Sequence, residues 1–430
     1  MTSVSRPPAN RRQAAETGTV IIGASHAGVQ VAASLRDQGY RLPITLLEAG
    51  AHLPYQRPPL SKTYLKDGLD NSQLALRGAA FYQQKHITLL CNHRVSQIDR
   101  ANQRITAQHG SRRVTFDYDR LVIATGAAAR QLPLASGVTG VRVLRDMDDA
   151  IALKADFDNA QTVVIIGAGF IGLEVASTAV TLGKQVTVVE HGGRILQRLL
   201  PPQLSAFLLQ IHQHNGVSFC FNTAVEVLAL ADSGQTHLRL SNGQTLSADL
   251  VVVGIGATIN DQLAQAAGIV CDNGILVDLN GQTSDPAVYA CGDCTTTIAP
   301  DPDPDPTEGQ RHPPSHIESI QNAVDQAKTV AAVITGQPAP ARVAPWFWSD
   351  QQGIKLQMVG TALDYDDLIV RGELETGKFS LLYYQHNRLC RVDSVNSPAD
   401  HLAARKLVSQ RYPLPKDAAA DTTVRLKSFT

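Results

Sequence analysis

The feature that most constrains this chain is a short apolar run that breaks on glycine and passes at once into a helical pattern. It occurs twice. The first copy is Thr19-Val20-Ile21-Ile22-Gly23-Ala24-Ser25-His26-Ala27-Gly28, and the second is Val163-Val164-Ile165-Ile166-Gly167-Ala168-Gly169-Phe170-Ile171-Gly172. Such a run reads as a buried parallel strand, and the amphipathic stretch from Ala27 to about Gln38 reads as a helix. A glycine turn between them leaves free N–H groups at a helix N-terminus, where small side chains let a pyrophosphate approach. One such loop says little. Two in one chain point to a flavin held beside a nicotinamide.

The 430 residues suffice for two to three domains with sizeable cores. Charge is balanced, with 38 Lys and Arg against 39 Asp and Glu. That argues against a dedicated nucleic-acid binder. No apolar run approaches the roughly 18 residues of a membrane span. Residues 1–18 have no apolar signal segment and read as a loose tail, so a reducing cytoplasm is the expected location. Six cysteines at 91, 220, 271, 291, 294 and 390 then make a disulfide framework unexpected. Cys291-Gly292-Asp293-Cys294 has CxxC spacing, but its loop has another use. No metal site is expected.

Each loop is followed by a strand that ends on an acid. Ile44–Leu47 leads to Glu48, twenty residues after Gly28, and Val186–Val189 leads to Glu190. An acid there accepts ribose hydroxyls. A carboxylate at Glu190 also repels a 2′-phosphate, which favours NADH over NADPH, although His191 and Arg194 stand close enough to meet a phosphate. The first loop departs from G-x-G-x-x-G at Ser25; the second keeps Gly167, Gly169 and Gly172. Glu174, on the following helix, projects toward the dinucleotide or caps a helical face.

Between the loops, Pro58-Pro59 makes a rigid turn flanked by Arg57 and Lys62. An ordered cation here steadies a pyrophosphate or a reduced flavin anion. No cysteine lies in this region, which disfavours a disulfide or peroxide reductase. The strand Leu121–Ile123 ends on Ala124-Thr125-Gly126, and Val251–Val253 ends on Gly254-Ile255-Gly256; both suit close backbone approach to a cofactor. Short strand patterns fill residues 87–105 and 114–116. Ser284–Asp293 reads as turn, strand and tight approach, with Asp293 placed for a polyol hydroxyl beside Gly292. A helix from about Ile317 to Thr335 aims its N-terminus at the electron-rich flavin edge. The Asp301–Pro306 alternation is an exposed, extended excursion. The last 90 residues read as a small α+β cap with strands at 354–359, 368–371, 379–384 and 389–395 and a helix near 398–408. Trp346 and Trp348, two apart on a strand, share a face.

The expected architecture is therefore α/β, with two Rossmann-like dinucleotide-binding domains and a C-terminal α+β domain. Residues 19–126 and 257–336 form the flavin domain, 127–256 the nicotinamide domain and 340–430 the C-terminal domain.

With these pieces in order, the chain resembles the putidaredoxin and rhodocoxin reductase family, which are FAD-dependent NADH:ferredoxin reductases of bacterial oxygenase systems. The motifs are RPPLSK at 57–62, ATG at 124–126, GAGFIGLE at 167–174, TSDPAVYACGD at 283–293, IES at 317–319 and PWFWSDQ at 345–351. The resemblance implies FAD contacts at Ala27, Lys62, Val95, Arg145, Asp293 and Ile320. It places the ribose acid of relatives at Ala49, so Glu48 takes over that task. It makes Phe170 the aromatic that shields the flavin and sets Trp348 on the opposite side. The implied reaction is hydride transfer from NADH to FAD, then single electrons to a 2Fe–2S ferredoxin. Lys62 and the helix end at Ile320 favour the reduced anion. An acidic ferredoxin calls for a locally basic docking face, with Arg77, Arg311 and Lys328 as candidates. Reductases of other carriers such as rubredoxin, and redox-sensing flavoproteins of the apoptosis-inducing type, share the nucleotide sites. Monomer and homodimer both fit.

Overall fold

The strand Thr19–Ile22 is four β-branched residues in a row, all buried, which is the pattern of a central parallel strand covered on both faces. In the computed structural model, which describes residues 17–298, 314–361 and 364–430, it lies in the middle of a five-stranded parallel sheet. The spatial order is Val288–Ala290, Arg120–Ile123, Thr19–Ile22, Ile44–Leu47 and Thr88–Leu90. The helix His26–Asp37 packs on this sheet against the helix Ile320–Thr335. Ala27, Val31, Ala323, Ala327 and Val330 make that contact close because their side chains are small or branched at Cβ. The expected tail through residue 16, the Asp301–Pro306 excursion and Arg311 lie outside the described residues.

A second parallel sheet repeats the order with Val217–Cys220, Gln185–Val189, Thr162–Ile166, Leu250–Val253 and Val141–Val143. Read from the opposite edge, the two orders correspond, and they differ in the outermost strand beside Arg120–Ile123 and Leu250–Val253. The first sheet takes it from far along the chain, the second from a segment that precedes its glycine loop. In both sheets the loop opens at the C-terminal strand edge, the usual ligand crevice of an open α/β sheet. The chain passes between the two units through Ala127–Ala129 and Ala257–Ile259, which pair antiparallel as a two-stranded ribbon. Each unit also carries a three-stranded antiparallel meander, Arg94–Asp99 to Arg112–Asp117 in the first and Val225–Leu230 to Thr245–Ala248 in the second.

The C-terminal sheet is antiparallel, in the order Trp346–Gln351, Ile354–Val359, Arg388–Val395, Lys378–Gln385 and Asp367–Glu373. Helix Pro398–Gln410 covers one face through Ala403, Ala404 and Leu407. The other face, with Leu356, Phe379, Leu381 and Tyr383, is continuous with the core of the second unit. Phe379 meets Phe207 edge-on at 5.0 Å between centroids. Each fully buried side chain of this size contributes about 1.5–3 kcal/mol, so this module is fixed to the second unit by a shared core.

Helix Ile320–Thr335 starts three residues later than the sequence pattern implies. Ser319 caps it, its Oγ accepting from Asn322 N at 3.1 Å. That cap leaves Ile317 and Glu318 in the approach to the helix, with Ile320 as its first residue.

Candidate active site between the two loops

Two cradles of backbone face the crevice. Gly23 has φ +100°, and a Cβ there would lie 2.2 Å from Ala124 O. A Cβ on Gly28 would lie 1.9 Å from Gly23 O. The second loop repeats this: Gly167 has φ +104°, and a Cβ on Gly172 would sit 2.3 Å from Gly167 O. Glycine is thus required by sterics at these positions. The middle position is different. Ser25 and Gly169 have φ −86° and −80°, open to any residue, which is why serine stands in the first loop without strain. The first helical hydrogen bonds are Val29 N to Ser25 O and Leu173 N to Gly169 O, both 3.0 Å. The amides of His26, Ala27 and Gly28, and of Phe170, Ile171 and Gly172, therefore have no partner within their helices. Both cradles fit a pyrophosphate.

The two strand-end acids are held alike. Glu48 accepts from Ala24 N (2.9 Å) and Gly50 N (3.0 Å), and Glu190 from Ala168 N (2.7 Å) and Gly192 N (2.6 Å). Each carboxylate is tied to its own glycine loop, and each oxygen keeps a lone pair for a ribose hydroxyl. Glu48 thus occupies in the first unit the place that Glu190 has in the second, one residue before Ala49. Arg194 donates to Leu200 O (2.7 Å) and Gln197 O (2.8 Å), so its guanidinium closes its own loop.

Around the first cradle a chain of cations forms the rim. Arg57 donates to Ser25 Oγ at 3.3 Å and to Arg145 O at 2.7 Å. Arg145 in turn pairs with Asp293 at 3.0 Å and donates to Ala127 O at 2.8 Å. Burial, then the neighbouring Arg145, holds the Arg57 guanidinium below its ordinary value. Burial and then Arg57 press His26 down to about 4; His26 was not singled out by the sequence. Asn260 and Thr125 exchange hydrogen bonds across the turn that ends on Gly126 (2.6 and 2.9 Å). Gly126 and Gly256 both have positive φ, +65° and +106°. Gly292 N donates to Gln326 Oε1 at 2.7 Å, and the glycine lies against Ala27, a Cβ on it being 3.2 Å from the alanine Cβ. Val95, on the meander, packs against the cluster that holds Ile22 and Leu47.

The two cradles meet at Glu174. This carboxylate, 4 % exposed, lies on the helix of the second loop. Its Oε2 takes Lys62 Nζ at 2.5 Å and Ser61 Oγ at 2.6 Å, both from the first unit. Its Oε1 takes Ser349 Oγ at 2.6 Å from the C-terminal module. Thr178 Oγ1 adds a bond to Ser61 O at 2.8 Å. Removing these donors would strand a buried charge. Glu174 is therefore a joint that fixes the Lys62 ammonium where the loops converge. Sequence reasoning paired neither Ser61 nor Ser349 with it.

Phe170 touches Phe347, 4.8 Å between centroids. Trp346 and Trp348 share the other face of the strand, 5.5 Å apart, as their spacing implies. Trp346 belongs to the C-terminal core, against His401 and under Arg405, and Trp348 is half-buried beyond it. Of the docking candidates, Arg77 is exposed over Phe81 and Lys328 leans toward Asp325 at 3.9 Å. All six cysteines are free, and Cys291 and Cys294 are fully buried with thiols pushed up by that burial. A redox dithiol there has no access and no thiolate.

The model of the pyridine nucleotide-disulphide oxidoreductase family matches residues 17–327, and that of the reductase C-terminal domain matches 346–430. The chain belongs to the pyridine nucleotide-disulphide oxidoreductase family. Within it, rhodocoxin reductase of Rhodococcus erythropolis is 41% identical over 95% of this chain and 93% of its own length. Putidaredoxin reductase of Pseudomonas putida is 38% identical over 96% and 97%. The reductase in a covalent putidaredoxin reductase–putidaredoxin complex superposes with a TM-score of 0.89 at 36% identity, over 97% of this chain and 98% of that one. The chain is accordingly an oxidoreductase whose cofactors are FAD and NAD(H). Among the described residues no helix is long and apolar enough to cross a membrane.

Proposed function

We propose that this protein takes reducing equivalents from NADH and delivers single electrons to a 2Fe–2S ferredoxin that feeds an oxygenase, in the cytoplasm. The likeness to rhodocoxin and putidaredoxin reductases carries the ferredoxin reading, and the Glu174 joint, which ties the helix of the second glycine loop to Ser61 and Lys62 of the first unit, supports direct transfer between the two cradles. When bound, FAD accepts a hydride from the nicotinamide and releases its electrons one at a time.

Residues 19–126 with 257–336 hold the FAD, 127–256 the NADH, and 340–430 close the site. Gly23, Ser25, Ala27 and Gly28 receive the FAD pyrophosphate, with Arg57 balancing its charge. Glu48 takes the adenosine ribose and Asp293, steadied by Arg145, the ribityl chain. Gly167, Gly169, Ile171 and Gly172 receive the NADH pyrophosphate, and Glu190 its ribose 2′-hydroxyl, which selects NADH. Phe170 covers the flavin face that the nicotinamide must reach, and Lys62 with the helix end at Ile320 offsets charge on the reduced ring. Trp348 excludes water at the rim.

The test is an anaerobic NADH titration of the purified yellow protein, followed by mixing with 2Fe–2S ferredoxins and with a rubredoxin. Rapid reduction of a ferredoxin supports the proposal. Reduction of rubredoxin alone reassigns the carrier, and no carrier reduction refutes electron delivery.

A further inference from the structure

One of the donors on Glu174 ends a longer buried chain. Ser349 Oγ, which donates to Glu174 Oε1, itself accepts from Gln351 Nε2 at 2.9 Å. Gln351 Oε1 receives His212 Nε2 at 3.0 Å. Ser349 and His212 are fully buried and Gln351 is 3 % exposed. His212 lies on the helix Pro202–His214 of the second unit, and the other two lie on the first strand of the C-terminal sheet.

The chain has one consistent order of protons. The Gln351 amide nitrogen donates to Ser349, so the single hydroxyl proton is left for Glu174. The Gln351 carbonyl oxygen can only accept, so the imidazole proton sits on Nε2. Nδ1 is buried without a partner, and an unpaired buried acceptor is tolerated better than an unpaired N–H. Burial also holds the imidazole below its ordinary value, opposed by the Gln351 bond. His212 is therefore a neutral, fixed donor.

We propose that His212 is a positioning residue for flavin reduction: through Gln351 and Ser349 it fixes a hydroxyl proton on Glu174 Oε1, which leaves Oε2 to Lys62 and Ser61 and holds that ammonium at the flavin edge. This rests on the placement of Lys62 beside FAD given above. Without the imidazole, nothing prevents the Gln351 amide from turning its oxygen toward Ser349. The hydroxyl then donates to Gln351, and Glu174 loses a donor. The carboxylate keeps more of its charge and draws Lys62 harder, so the reduced flavin loses electrostatic support.

The test uses the FAD-loaded protein. His212→Phe lowers the flavin midpoint potential and slows NADH reduction of the flavin about tenfold, in keeping with loss of a hydrogen bond to a charged group. His212→Gln, which keeps a donor, restores both, and Ser349→Ala reproduces the loss directly. A folded His212→Phe protein with the wild-type potential overturns the proposal. Nitrogen-15 NMR of wild-type His212 decides it without any variant: a proton on Nε2 alone supports it, and a proton on Nδ1 overturns it. Wild-type flavin that NADH cannot reduce refutes the proposed function, whatever His212 does.

Discussion

Alanine at Gly28 and at Gly172 separates the two cradles experimentally. The new Cβ at Gly28 would stand 1.9 Å from Gly23 O, and at Gly172 2.3 Å from Gly167 O. Both obstacles are backbone of the loop itself, so no rotamer change relieves them. The helix must back away from the strand by about 1 Å, at a cost of about 1–3 kcal/mol for overpacking. A displacement of that size in a positioning element costs about a hundredfold in function. Gly28→Ala is expected to purify with little flavin and to need added FAD for turnover. Gly172→Ala is expected to keep its flavin and raise KM for NADH by ten- to a hundredfold. Flavin content by absorbance and steady-state KM measure the two effects. A Gly28→Ala protein with full flavin, or a Gly172→Ala protein with unchanged KM, would refute the steric assignment of the loops.

Glu190→Ala removes the bonds to Ala168 N and Gly192 N together with the repulsion of a 2′-phosphate, so the kcat/KM ratio of NADH to NADPH should fall at least tenfold; an unchanged ratio rejects Glu190 as the selector. Replacing Cys291 and Cys294 together by alanine should leave carrier reduction within twofold, because both thiols are buried and raised; loss of turnover in a folded, flavin-loaded double variant rejects the assignment. His401, pressed to about 4 by burial and then by Arg405 and Lys355, binds protons more readily when unfolded. Its contribution is present above about pH 6.5 and is lost as pH falls toward 4. The denaturant midpoint should therefore drop across that window, and less so in His401→Phe; equal slopes in the two proteins would contradict this.

Much of the site is legible in the sequence because it is local. The glycine loops and the acids Glu48 and Glu190 are separated by one strand–helix–strand unit, and the chemistry of each position follows from spacing. The alternation of PWFWSDQ likewise puts Trp346 and Trp348 on one face. What that alternation also dictates, that Phe347, Ser349 and Gln351 share the other face, has consequences only once this sheet docks on the second unit. Glu174 is opaque for the same reason: its partners come from two distant parts of the chain, 61–62 and 349, and each pairing depends on tertiary placement. The edge strand Val141–Val143 has too little sequence of its own to announce a parallel partner. The start of helix Ile320–Thr335 turns on the Ser319 cap, which competes with the continuing helical pattern before it.

The central claim is that the two cradles present their dinucleotides to each other directly. Anaerobic stopped-flow mixing of the flavin-loaded protein with NADH tests it most directly. The account predicts that the flavin absorbance bleaches at a rate that saturates with NADH and slows when the transferred hydrogen at nicotinamide C4 is deuterium. A protein that binds both dinucleotides while its flavin stays oxidised would contradict it.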